Sequence, residues 1–255
     1  MSYPATFDTI GQPFILLTTV DSTNNYAMAQ AHAGMATPGT AYFALEQTAG
    51  KGQRGKTWKS QPGQNIIMSL NLSPGKALID KFFMLSASVS LACYDFYKTL
   101  AGQETSIKWP NDLYWRDRKA GGILIENIIG QPDKSWKCSV AGIGININQT
   151  EFGDFSHRAV SLRQITGKEE SVTMLGKELC IYVQNRMNAF YAGDYLQILE
   201  DYNQALFMRG QKVKLKQGSI VFQTTITAVD MLGQLIVSDT LERSFGFGEI
   251  EWVFS

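Results

Sequence analysis

Residues Gly50-Lys-Gly-Gln-Arg-Gly-Lys-Thr57 match the pattern G-x-x-x-x-G-K-[ST] at every fixed position, and Pro62-Gly63 follow shortly after. The two facts point to different folds. A phosphate-binding P-loop works because its glycine turn opens directly into a helix whose free N–H groups face the anion. Proline and glycine this close downstream forbid a helix of useful length, and residues 65–72 then read as a strand. No apolar strand ending in a clear magnesium-binding Asp follows at a sensible distance. Residues 48–63 therefore form a long glycine-rich loop between two strands, at 40–47 and 65–72. Loops of this length are usually functional. Lys51, Arg54 and Lys56 crowd it, and its glycines let backbone N–H groups approach an anion.

Around this loop the pattern is that of an α+β chain. Residues 14–20 read as a strand, followed by N-cap candidates Ser22 and Thr23 and a short helix over 24–29. Phe82, Leu85, Val89, Ala92, Phe96 and Leu100 recur at spacings of three and four, which predicts one long helix after Asp80. Strands resume near 107–108, 122–126 and 136–143, with a turn at 131–134, so the sheet is mixed or antiparallel. Two more helices carry Leu175, Leu179, Val183, Met187 and Phe190, then Tyr195, Leu199, Tyr202 and Leu206, the second capped by Asp194. From about Met208 short runs at 212–215, 223–229, 235–237 and 250–254 read as a small β-barrel. The expected division is a domain over 1–206 and the barrel over 207–255.

Charge and composition exclude several functions. Lys plus Arg number 23 and Asp plus Glu number 23, so the net charge is zero and no overall positive field exists for nucleic acid or an anionic membrane. Cys93, Cys138 and Cys180 form no C-x-x-C pair, which argues against a disulfide framework or a thiolate zinc site and for a reducing, cytoplasmic location. His32 and His157 lack partners at ligand spacing. Met1–Asp8 has no export-signal pattern, and the best apolar run, 82–94, falls short of the ~20 residues of a membrane helix.

Five segments stand in order between residues 22 and 146: Ser22-Thr23-Asn24 after a strand; Glu46-Gln47-x-x-Gly50-Lys51-Gly-x-x-Gly-x-x-Trp58; Lys108-Trp-Pro-Asn-Asp112; Lys119-x-x-Gly122-Ile-Leu-x-Glu126; and Gly142-Ile-Gly-Ile-Asn146. This set resembles the biotin protein ligases. The resemblance implies a catalytic domain of mixed sheet and helices, then an SH3-like barrel. It also implies a reaction in which biotin and ATP give biotinyl-adenylate and pyrophosphate, and the biotinyl group passes to a lysine of a biotin carboxyl carrier domain.

By the same resemblance Lys119, Asp112 and Arg54 are catalytic. Lys119 lies between the biotin carboxylate and the α-phosphate, where a cation offsets the repulsion of two anions. Asp112 orients the carrier amine and takes its proton. Biotin is met by Ser22, Thr23, Asn24 and Gln47 at its ureido end and by Gly50, Lys51, Lys119, Gly122 and Ile143 elsewhere. ATP is met by Lys51, Gln53, Arg54, Lys56, Trp58, Lys119 and Asn146, with Trp58 and Asn146 beside the adenine. Magnesium would be held mainly by phosphate and water, without a dedicated protein cage. The chain departs from the family at Lys51 and Gln53, where many members carry the planar fork of arginine. Lys108 and Asn111 are expected to hold the short loop that Asp112 ends, and Lys119 to stand on a solvent-facing turn.

Two other readings compete: a lipoate-type acyl ligase on the same fold and a biotin-binding module without catalysis. The residues ahead of Ser22 are too few for a winged-helix domain, so a DNA-binding regulator is not expected. A homodimer is left open.

Overall fold

The computed structural model describes residues 9–254. Met1–Asp8, read above for an export signal, lie outside the described residues.

A seven-stranded sheet forms the body, in the order β1-β2-β3-β7-β6-β5-β4. These strands are β1 Phe14–Val20, β2 Ala41–Gln47, β3 Asn65–Leu72, β4 Thr105–Lys108, β5 Asp112–Trp115, β6 Arg118–Ile129 and β7 Trp136–Asn146. β1 and β2 pair in parallel, and the other ladders of this sheet are antiparallel. A parallel pair needs a crossover, here made by α1, Thr23–His32, which is longer than its sequence suggests. Ser22 caps α1 by accepting the Asn25 N–H.

Side-chain alternation assigns the faces of the sheet. Phe43, Met68, Ala141, Ile143 and Ile145 belong to the main core cluster, together with residues of α2, Phe82–Ala101, and α4, Val172–Ala192. Their neighbours Tyr42 and Val140 cluster instead with Ala27 of α1. Hence α1 covers one face of the sheet, and α2 and α4 cover the other. Two short helices complete this part: α3, Leu162–Thr166, with a Ser161/Gln164 capping box, and α5, Tyr195–Gln204. The five-residue α3 is too short to leave a hydrophobic period. Asp194 occupies the N-cap of α5 but makes no side-chain capping bond there.

The remaining strands form a five-stranded antiparallel sheet, β11-β10-β9-β8-β12: β8 Lys212–Gln217, β9 Ile220–Val229, β10 Leu235–Ser238, β11 Glu242–Phe245 and β12 Glu251–Val253. β11 has no counterpart in the sequence reading because Glu-Arg-Ser-Phe lacks apolar alternation. Its sheet does not stand apart. Leu215, Ile226, Leu235 and Phe245 belong to the same core cluster as α2 and α4. The Trp109 indole N–H donates to the Gly233 carbonyl at 2.9 Å, and Asn203 exchanges bonds of 2.9 and 2.6 Å with Val229. Among the described residues no helix is long and apolar enough to cross a membrane.

Candidate active site

The face of the large sheet beneath α1 has a floor almost without side chains. Gly122 of β6 pairs with Gly144 of β7, and Gly142 lies two residues before it, opposite Ser69 of β3. Two of these glycines are required by close approach. A Cβ on Gly142 would lie 2.8 Å from Cγ of Asn24, and one on Gly144 would lie 2.6 Å from Cε2 of Trp58. Asn24 and Trp58 therefore rest directly on the backbone of β7.

One end of the floor is a closed polar network. Gln47 Oε1 accepts from the Thr23 backbone N–H at 2.7 Å and from the Thr23 hydroxyl at 3.1 Å. The Ser69 hydroxyl lies 2.8 Å from Thr23 Oγ1 and 2.6 Å from Asn24 Oδ1, and the Asn24 amide donates to Glu126 Oε2 at 2.8 Å. Ser22, Thr23, Asn24 and Ser69 are all buried. A buried network with each member partnered is rigid, which suits a recognition site for a group that both donates and accepts hydrogen bonds.

Beside it the glycine-rich segment doubles back on itself. Lys51 bridges Thr57, the Gly52 N–H donates to the Lys56 carbonyl at 2.6 Å and the Trp58 N–H to the Gly50 carbonyl at 2.9 Å. Its tip is a single 3-10 turn, Gln53–Gly55, where Arg54 takes a left-handed φ of 55°. For a residue with a Cβ that conformation costs about 1 kcal/mol or more. The segment is thus a hairpin-like flap, and the missing helix of a P-loop is absent from the structure as well. Lys51, Gly52, Arg54, Lys56 and Thr57 line an open hollow of about 460 Å³ together with Leu124 and Glu126. The Arg54 guanidinium also reaches the turn between β11 and β12: a Cβ on Gly248 would be 3.3 Å from its Cζ.

At the other end stand the charged residues. Lys119 Nζ and Asp112 Oδ1 are 2.6 Å apart with both side chains about one-third exposed, and Lys119 Nζ lies 5.9 Å from the Trp58 ring centre. A Cβ on Gly122 would be 3.3 Å from both Lys119 Nζ and Asp112 Oδ1, so the bare backbone leaves room for the pair. The sequence reading set Asp112 in a loop and Lys119 on a solvent-facing turn. Instead Asp112 opens β5 and Lys119 sits in β6, beside a register shift in their ladder. Such a bulge re-aims side chains. Lys119 is pinned further by its backbone, which donates to the Arg158 carbonyl at 2.7 Å and accepts from the Val160 N–H at 2.9 Å. The Asn146 amide donates to the carbonyls of Lys119 and Val160 at 3.4 and 3.1 Å.

Most of the residues singled out from the sequence thus converge on one face. Ser22, Thr23, Asn24 and Gln47 stand at one end, Gly50, Lys51, Gln53, Arg54 and Lys56 in the flap, Trp58 and Gly122 over or in the floor, and Lys119, Asp112 and Asn146 at the far end. Ile143 does not join them through its side chain, which is buried in the core on the opposite face and leaves only backbone for the site. Two residues were not singled out. Ser69 could have been found as a polar residue in a strand buried along its whole length. Glu126 stands within a matching motif but was given no role.

The model of the Biotin/lipoate A/B protein ligase family matches residues 16–146. The bifunctional ligase/repressor BirA of Bacillus spizizenii is 36% identical over 166 residues, which is 64% of this chain and 50% of that protein. The biotin--[acetyl-CoA-carboxylase] ligase of Mycobacterium tuberculosis is 34% identical over 131 residues, 50% of this chain and 47% of that one. The chain spans about half the length of these curated relatives. Among solved structures, the biotin protein ligase of Aquifex aeolicus in complex with biotin and ATP has the same fold, with a TM-score of 0.79 at 24% identity, covering 94% of this chain and 98% of the other. The family match runs from β1 through the flap and the Lys119–Asp112 pair to Asn146, the stretch that builds the site, and this chain belongs to the Biotin/lipoate A/B protein ligase family.

Proposed function

We propose that the protein is a biotin protein ligase, which activates biotin with ATP as biotinyl-5'-adenylate and transfers the biotinyl group to a lysine of a biotin carboxyl carrier domain. The observation that carries this reading is the Lys119–Asp112 pair at one end of a glycine floor whose other end holds a buried polar network with a basic flap beside it. In the first step a biotin carboxylate oxygen attacks the α-phosphorus and the bond to pyrophosphate breaks. Two anions must approach, and Lys119 offsets their repulsion while Lys51, Arg54 and Lys56, with Gln53 at the tip, hold phosphates. In the second step the carrier amine attacks the acyl carbon, AMP leaves, and Asp112 takes the amine proton.

Ser22, Thr23, Asn24 and Gln47 face the ureido ring on this reading, with Gly50, Lys51, Gly122 and the backbone of Ile143 along the tail. Trp58 and Asn146 flank the adenine. The donor set fits a magnesium ion carried on phosphate oxygens and water, Glu126 being the carboxylate that lines the flap hollow. When bound, the ion screens the phosphate charge. Residues 1–206 form the catalytic unit and 207–255 a second unit of SH3-like barrel type. The proposed location is the cytoplasm.

The test is an incubation with ATP, biotin and a biotin carboxyl carrier domain, each omitted in turn, with the carrier mass and released pyrophosphate as readouts. A biotinyl mass gain that needs all three is expected. Lipoate accepted as well as biotin, or pyrophosphate released without biotin, would overturn the reading.

Three substitutions probe the flap and floor. Thr57 is exposed in the flap, and Thr57→Ala is expected to keep most biotin-dependent activity, whereas a P-loop threonine would be needed for magnesium. Trp58→Ala is expected to raise the KM for ATP, since a stacked aromatic contributes about 1 kcal/mol. Gly144→Ala drives a methyl into the Trp58 ring. Overpacking should cost about 1–3 kcal/mol of stability and weaken ATP use too. Thermal melts and ATP titrations check both, and activity lost at Thr57 but kept at Trp58 would restore the P-loop reading.

A further inference from the structure

Lys108 carries a charge that the two proposed steps leave unused. It stands directly opposite Asp112 in the β4–β5 ladder, so both side chains leave the hairpin on one face. Its Nζ donates to the Tyr114 hydroxyl at 3.1 Å and lies 4.9 Å from the Tyr114 ring, 5.3 Å from Trp252 and 4.5 Å from Phe254. Tyr114 belongs to β5, Trp252 to β12, and Phe254 follows β12 directly. An ammonium is thus held among three rings, two of them from the second sheet, and ring faces offset part of the cost of burying it.

Burial pushes the Lys108 ammonium down to about 8. Asp112 of β5 acts against that shift, while Lys119 of β6, Lys56 of the flap and Arg158 ahead of α3 add to it. Lys212 and Lys214 of β8 line a hollow with Trp252 and Phe254. Among these neighbours Asp112 is the carboxylate that favours the charged form of Lys108. The attraction is mutual.

In the resting site Asp112 is in contact with Lys119. On the ligase reading, which this inference rests on, Lys119 turns to the biotin carboxylate and the α-phosphate in the first step. Asp112 then loses its contact cation just as the second step needs it. We propose that Lys108 is the positioning residue that holds Asp112 for the transfer step, and that the rings of the carboxy-terminal sheet hold Lys108 in turn. The second sheet would thereby act on transfer without touching either substrate at this point.

The test times the two steps separately in single turnovers, with pyrophosphate release for activation and carrier mass for transfer. Lys108→Met is expected to slow transfer about tenfold, equivalent to 1.4 kcal/mol, and to leave activation within about twofold. Lys108→Arg keeps the charge at all working pH values and should restore most of the loss. The ratio of wild-type to Lys108→Arg transfer rates cancels the ionisation of the carrier amine. It should fall as pH rises through about 8, because only the wild-type side chain loses its charge there. Phe254→Leu, which removes one ring face from the cage without altering the hairpin, should move that fall to lower pH. Equal slowing of both steps, undiminished transfer in Lys108→Met, or a pH-independent ratio would overturn the proposal. Pyrophosphate release that does not depend on biotin in the unaltered protein would instead overturn the ligase reading, and this inference with it.

Discussion

Lys119→Ala is expected to lower biotin-dependent pyrophosphate release by about a hundredfold or more, the scale on which removing one preorganised charge-stabilising group acts. Lys119 stands 2.6 Å from Asp112 on a face with no side chain at Gly122, so its ammonium can turn from carboxylate to phosphate without clearing another group. The fold should survive. Both partners are about one-third exposed, and an ion pair of that kind contributes only about 0–1 kcal/mol to stability. Circular dichroism and a thermal melt separate the two effects. Near-normal pyrophosphate release from a folded Lys119→Ala protein would remove Lys119 from the first step.

Asp112→Asn is expected to slow transfer to the carrier lysine by about a hundredfold while slowing activation far less, because only transfer needs an amine to lose its proton. Asparagine keeps the size and position of the side chain at the start of β5 but cannot accept that proton. Preformed biotinyl-adenylate mixed with carrier times transfer alone, and pyrophosphate release times activation. Equal slowing of the two would mean that Asp112 orients the nucleotide or its metal.

Much of this site was legible because its parts are local in sequence. The flap could be told from a P-loop by Pro62-Gly63 alone, since a helix cannot form across them. β3 and the long helix α2 agree closely with the hydrophobic pattern because β3 is buried along its whole length and α2 over most of its turns, and β1 agrees although it is only half-buried. What escaped depends on partners distant in sequence. That Ile143 points into the core while Gly142 and Gly144 face the site follows from which side of the sheet α1 covers. The placement of Lys119 in a strand rather than a turn follows from the register shift against β5, which the sequence does not mark. Ser69 earns attention only once α1 is seen above β3. The contact of Arg54 with Gly248 joins residues almost two hundred positions apart.

The continuous core between the two sheets bears on how such chains can diversify. Trp109, Asn203 and Lys108 each reach from the body of the larger sheet to the carboxy-terminal residues, through an indole N–H, an amide and an ammonium respectively. Recombination at residue 206 would therefore not exchange two interchangeable cassettes. A donor tail would have to bring a carbonyl for the tryptophan, a backbone match for the asparagine and rings for the lysine, and a tail lacking the rings would leave Lys108 without the aromatic faces that surround its ammonium. Substitutions at Trp252 or Phe254 therefore bear directly on the Lys108–Asp112 hairpin, although they stand more than a hundred positions away in the chain.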